Sequence, residues 1–220
     1  MKRLLSGLSA GAFALALAAC ASTPVRYYTL ASAAPPPMAA QRADAPGRGR
    51  GTLQVEVGPV GVPDRLARPQ MVLRSNLDPS STRVSVLEQQ RWSSPFDSEL
   101  RDAFGVAIAA RLGAVDVTRG GALPEQPVYR VALQLRQFDA VLDKQVEATF
   151  GWTITRSGDE RNAVCQAFTS QPIGPGMDEL VQGIQRVVDT LADRVATQIA
   201  QLQEGRTAAC QGPGPRQAAR

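Results

Sequence analysis

Between residues 52 and 203 the apolar positions repeat with two different periods. Leu53, Val55 and Val57 alternate with Gln54 and Glu56, which predicts a half-buried strand over 52–57, ended by Gly58-Pro59. PQMVLR (69–74) reads as a second strand, with Pro69 at its start, where a missing N–H is tolerated. TRVSVLEQ (82–89) is a third, with Val84 and Val86 on one face. The period then lengthens. Phe96, Leu100, Ala103, Phe104, Ala107 and Ile108 recur at three-to-four spacing, while Arg101, Asp102 and Arg111 fall on other faces. Ser94 is placed to cap this helix, Pro95 to take its first position, with Asp97 three residues after the cap, and Gly113 to end it, so 95–112 is predicted helical.

A meander follows. In 128–137, Tyr129, Val131, Leu133 and Leu135 oppose Arg130, Gln134 and Arg136. In 145–155, Val146, Ala148, Phe150, Trp152 and Ile154 oppose Gln145, Glu147, Thr149, Thr153 and Thr155. RSGDER (156–161) is a turn, and 162–170 returns as a third strand, all antiparallel with one solvated face. Leu180, Ile184, Val187, Val188, Leu191, Val195, Ile199 and Leu202 draw one stripe along a helix over 177–203 that Gly205 stops. That stripe could serve a partner, but the sheet's apolar face needs a cover, so it is assigned to the core. The expected fold is an α/β two-layer sandwich: a mixed or antiparallel sheet covered by two amphipathic helices.

The ends of the chain lack this patterning. Residues 1–19 put Lys2 and Arg3 before an apolar run too short for a stable span, the form of an export signal. Residues 31–50 hold four prolines and one bulky apolar side chain, Met38, and read as a linker. Residues 205–220 read as a disordered tail, which leaves 51–204 as a single globular domain.

Composition removes whole classes of chemistry. The chain has 220 residues and no histidine, which excludes a Ser-His-Asp triad and His-rich metal sites. Without Lys2 and Arg3 the balance is 22 cationic against 20 acidic side chains, too even to imply nucleic-acid binding. Cys20, Cys165 and Cys210 form no C-x-x-C pair. Asp64, Asp78, Asp97, Glu99, Asp102, Asp139, Asp143 and Glu147 make no recognisable acid–base pattern and are read as solvated faces and helix starts. Gly120-Gly121 lacks the spacing and the lysine of a phosphate loop. No cofactor and no metal is expected. Trp92 is read as a packing anchor and Trp152 as core. Arg68, Gln70 and Arg74 lie on an edge-like strand. Either they bind an acidic partner surface or lipid headgroups, or they simply keep a sheet edge soluble.

Leu17-Ala18-Ala19-Cys20 resembles the lipobox of bacterial lipoproteins, directly behind the apolar run. The resemblance implies cleavage before Cys20, diacylglyceryl attachment to its sulfur and acylation of the new amine; two or more chains hold stably where one is reversible. Ala21, in place of Asp, favours the outer membrane under the usual sorting rule. With Cys20 acylated, an even pair remains in an oxidising compartment, and Cys165 and Cys210 are expected to form a disulfide, two free thiols being the alternative.

YYTL (27–30), VEVGPVGVPDRLARPQMVLR (55–74) and RWSSPFDSELRDAFGVAIAARLG (91–113), in that order, resemble the ABC-type transport auxiliary lipoproteins, the PqiC-like or YmbA-like family. The resemblance implies a non-catalytic, periplasm-facing subunit of an MCE-type system that moves lipid between the inner and outer membranes. Its partners would be an MCE-domain protein and inner-membrane components. A homo-oligomer matching the partner's symmetry is compatible with the resemblance and unread in the residues. It also implies that YYTL joins the sheet as an early strand (25–30), making 31–50 a loop inside the domain. A small envelope hydrolase and an assembly lipoprotein of another outer-membrane machine are the alternatives.

Overall fold

A computed structural model describes residues 24–31, 53–75, 81–122, 126–159, 162–208 and 210. The leader over 1–19, Cys20, the Pro-rich stretch after Ala31 and the chain beyond 210 lie outside the described residues. Among the described residues, eight strands and two long helices form two mixed sheets and a helical layer: β1 (Arg26–Tyr28), β2 (Gln54–Val57), β3 (Gln70–Arg74), β4 (Val84–Trp92), α1 (Phe96–Leu112), β5 (Val115–Asp116), β6 (Val128–Val141), β7 (Gln145–Arg156), β8 (Asn162–Pro172) and α2 (Met177–Gln203). The architecture is the two-layer α/β sandwich read from the sequence, with the strands divided between a three-stranded sheet, β1-β4-β3, and a five-stranded one, β5-β2-β6-β7-β8. The buried side chains of both sheets and both helices form one contiguous cluster.

The two sheets meet along β6. Val57 of β2 pairs with Val131, and the chain then continues beside β6, where Gly61 N–H donates to the Leu133 carbonyl and Leu135 N–H to the Gly61 carbonyl. A Cβ at Gly61 would lie 2.1 Å from Gln134 Oε1, so a side chain there would have to displace the exposed Gln134 amide. A short 3-10 helix, Asp64–Leu66, then turns the chain into β3; Arg65 Nη2 donates to the Phe138 carbonyl at 3.0 Å, and Arg74 reaches Asp139.

Several departures from the sequence reading have plain causes. Gln54, read as solvated, is fully buried, as is Val128, its partner in the parallel pairing with β6; Gln54 Nε2 donates to the Gln126 carbonyl just ahead of that strand. Strand β6 runs on to Val141, past the predicted end at 137: a bulge between Leu135 and Gln137 resets the alternation and keeps Phe138 and Ala140 on the core side. Strand β4 extends through Arg91-Trp92, and its Val84 and Val86 share a face that is exposed. Ser94 does not cap α1: Pro95 occupies the cap position, and the Ser94 hydroxyl instead donates to Glu99. Gly113 ends α1 at φ +61°, as read.

The helices pack on one face of the five-stranded sheet. Gly183 lets α2 approach, since a Cβ there would meet Ile173 Cγ2 at 2.3 Å. Arg111 ties the helices together, donating through Nη2 to Asp189 at 3.0 Å and through Nε to Asp193. Burial alone would lower its pKa, but the two carboxylates outweigh that and raise it.

Candidate interaction surface

The three residues singled out for partner binding are not brought together as one site. Arg74 is used inside the fold: its guanidinium pairs with Asp139 of β6 at 2.8 Å and donates to the Ser81 carbonyl at 2.6 Å. Arg68 is exposed, and Gln70, half-buried, donates from Nε2 to Glu88 Oε2 across the hairpin. What the topology places beside Arg68 and Gln70 is a set that sequence reasoning left unassigned. Gln70 pairs with Arg91 of β4, and Arg91 pairs with Tyr27 of β1, so Tyr27, Arg91 and Gln70 form a row across three adjacent strands. Tyr27 is 64% exposed and Val25 40%. Arg26 is exposed and Arg91 partly so. Among the described residues, the carboxylates named near this row are Glu88, which accepts from Gln70, and the exposed Asp64. Both Tyr27 and Arg91 lie in the motif stretches quoted above. Only the parallel pairing of β1 with β4 shows that they are neighbours.

The opposite face of the same three strands is packed. Trp92 stacks on Phe96 with centroids 4.9 Å apart, and Phe96 tilts against Phe138 at 5.4 Å. Trp92 is thus the packing anchor it was read to be. A cavity of about 10 Å³ at this seam, lined by Met71, Leu73, Trp92, Phe138, Leu180 and Ile184 among others, has room for one water at most and none for a lipid tail.

One buried carboxylate holds this surface in place. Glu99, in the first turn of α1, is only 6% exposed, which corrects its reading as a solvated helix-start residue. Its Oε2 accepts from the Thr29 hydroxyl at 2.8 Å and the Leu30 N–H at 2.7 Å. Its Oε1 accepts from the hydroxyls of Ser93 and Ser94, each at 2.7 Å, and from the Ser94 N–H at 3.1 Å. Burial pushes its pKa up, but the hydrogen bonds from Ser94, Ser93, Leu30 and Thr29 outweigh burial and hold it below its ordinary value. The end of YYTL is therefore pinned to the start of α1, directly behind the exposed Tyr27.

At the other end of the domain, Cys165 and Cys210 are joined by a disulfide with Cα atoms 5.5 Å apart. Cys165 lies on the buried face of β8 with Ala163 and Ala167. Buried Gln198 of α2 accepts from Trp152 Nε1 at 2.7 Å and directs its Nε2 at Cys165 Sγ, 3.0 Å away. Among the described residues there is no group of three or more side chains suited to a metal ion, and no helix long and apolar enough to cross a membrane.

The family of ABC-type transport auxiliary lipoprotein components matches residues 28–196. This chain belongs to that family. The match begins inside β1 and ends within α2, so it takes in both sheets and the Glu99 clasp. As a member of a lipoprotein family, the protein is a membrane-anchored envelope component associated with a transport system. A crystal structure of an uncharacterised protein shares the fold at TM-score 0.60 and 19% identity, covering 80% of this chain and 99% of that one. A Xanthomonas campestris protein of the DUF330 family aligns at TM-score 0.50 and 14% identity, over 73% of this chain and 93% of its own. At those identities the two structures speak to the fold alone. No protein of curated function matches this chain.

Proposed function

We propose that this protein is a non-catalytic adaptor in an MCE-type lipid transport system, held at the outer membrane by acyl chains on Cys20. It would dock on the periplasmic end of the MCE assembly and connect it to that membrane, making and breaking no bond. The family match over 28–196 carries this reading. The leader, the lipobox-like Leu17-Ala18-Ala19-Cys20 and Ala21 supply the anchor and its destination. Domain geometry supports a positioning role: the first strand starts six residues after Cys20, and Glu99 fixes that strand to the core. Affinity recovery of the tagged full chain from crosslinked envelopes tests the reading. An MCE-domain protein should be recovered with it, and recovery with none would defeat the adaptor role. Labelling with palmitate, lost on Cys20→Ala, tests the anchor separately.

A further inference from the structure

We propose that the end of the three-stranded sheet marked by the Tyr27–Arg91–Gln70 row, with Val25 and Arg26 of the β1 segment and Arg68 just ahead of β3, rests on phospholipid headgroups of the bilayer that holds the acyl chains. The proposal depends on acylation of Cys20. Five residue steps separate Cys20 from Val25, a reach of about 18 Å at full extension. Peeling β1 could lengthen the tether only as far as Thr29, because Thr29 and Leu30 are both bonded to the buried Glu99 carboxylate. With β1 paired to β4, this end of the sheet is held within one short strand's length of the membrane surface.

The chemistry of this end suits that position. Tyr27 is mostly exposed, and an exposed tyrosine beside arginines is the amphipathic combination that settles at headgroup level. Arg26 and Arg68 are exposed, and Arg91 stands in register between Tyr27 and Gln70. Against these three cations, among the described residues, stand Glu88, which keeps its charge while accepting from the neutral Gln70, and Asp64. The excess of positive charge is complementary to an anionic headgroup layer. An acidic protein could use the same cations, but the short, clasped tether favours the bilayer.

The test uses the full acylated chain in phosphatidylethanolamine–phosphatidylglycerol vesicles, with brominated phospholipid as a short-range quencher of tryptophan. Wild-type emission from buried Trp92 and Trp152 sets the baseline. Tyr27→Trp should be quenched about two-fold beyond that baseline. Val164→Trp, on the exposed face of β8 at the far edge of the other sheet, should match it. Val25→Trp, which lies outside β1, should repeat the Tyr27 result without altering the strand. Adding Arg26→Glu and Arg68→Glu should cut the quenching while the chain still floats with the vesicles. If Tyr27→Trp and Val25→Trp behave like Val164→Trp in a chain whose N-terminal peptide carries lipid, the surface assignment is overturned and the anchor stands. The assignment is likewise overturned if Tyr27→Trp ignores the brominated lipid but is shielded on addition of the MCE-domain protein. A chain that does not float and carries an unmodified Cys20 overturns both.

Discussion

The two ends of the folded domain are tied to the core by different chemistry. At the N-terminal end, Thr29 and Leu30 are bonded to Glu99, a buried carboxylate that also gathers Ser93 and Ser94. At the C-terminal end, Cys210 is bonded to Cys165, with Gln198 and Trp152 behind it. One clasp can be opened by a proton, the other by electrons. A reductant should therefore loosen the C-terminal end and leave β1 in place, and acid should do the reverse.

The largest effect expected is from the disulfide. Its sequence separation is 45, so removing it by Cys165→Ala with Cys210→Ala, or by reduction, should lower unfolding stability by about 4 kcal/mol on chain-entropy grounds. Urea unfolding of oxidised and reduced protein reads the difference. Hydrogen exchange at Thr29–Leu30 should stay protected in the reduced native state; loss of protection there would mean that the two clasps are not separate.

Glu99→Ala comes next. It strips the acceptor from five hydrogen bonds and leaves buried donors unpaired, which should cost about 3 kcal/mol. Exchange at Leu30 should accelerate, while Val164 and its neighbours on β8 remain protected. The pH dependence has a definite sign. The folded pKa of Glu99 lies below its ordinary value of 4.5, so the unfolded chain binds the proton more tightly. The contribution is complete above that ordinary value and is lost as pH falls through the folded one. Early release of β1 in acid, absent in Glu99→Ala because its clasp is already open, is the expected signature. Wild-type protection at Leu30 that is unchanged down to the global acid transition would contradict it.

Gln198→Leu removes the acceptor of a buried indole N–H and should cost about 2 kcal/mol. Trp152 emission should change even with the disulfide intact, since the lost bond is to the ring itself. If the variant were as stable as wild type, the C-terminal clasp would reduce to the covalent bond.

The two clasps also differ in how far they could be read in advance. The cysteine pair is a matter of counting: three cysteines with one assigned to acylation leave two. Glu99 gives no such signal, because Thr29 and Leu30 lie 70 and 69 residues away and reach it only through the pairing of β1 with β4. The same contrast runs through the fold. The meander β6–β7–β8 and α2 carry clean periods because one face of each is buried in the shared core, and α2 has the boundaries read for it. Gln54 broke the rule, since its face of β2 is closed where the chain enters β6 at Gln126 and Val128, which the alternation of β2 does not show. The two-residue β5 is too short to have a period at all. Of the candidate surface, Arg68 and Gln70 were legible as edge residues. Their company, Tyr27 and Arg91, was not, because a parallel pairing between chain segments 64 residues apart leaves no mark on local pattern.

Arg74 sharpens the comparison from between the two ends. It is the residue of the sequence-read trio that turned inward, spanning from β3 to Asp139 on β6, where the two sheets meet. Its side chain is 26% exposed and that of Asp139 12%, so the pair is partly screened and Arg74→Ala should cost only about 1 kcal/mol. The shape of the transition says more than its midpoint. If the shared core makes both sheets one cooperative unit, as the single contiguous cluster implies, unfolding should stay two-state with an unchanged denaturant slope. A separate, earlier transition, reported by Trp92 in the three-stranded sheet ahead of Trp152 in the five-stranded one, would mean that the sheets are distinct units joined by this ion pair. The N-terminal clasp would then stabilise only its own half.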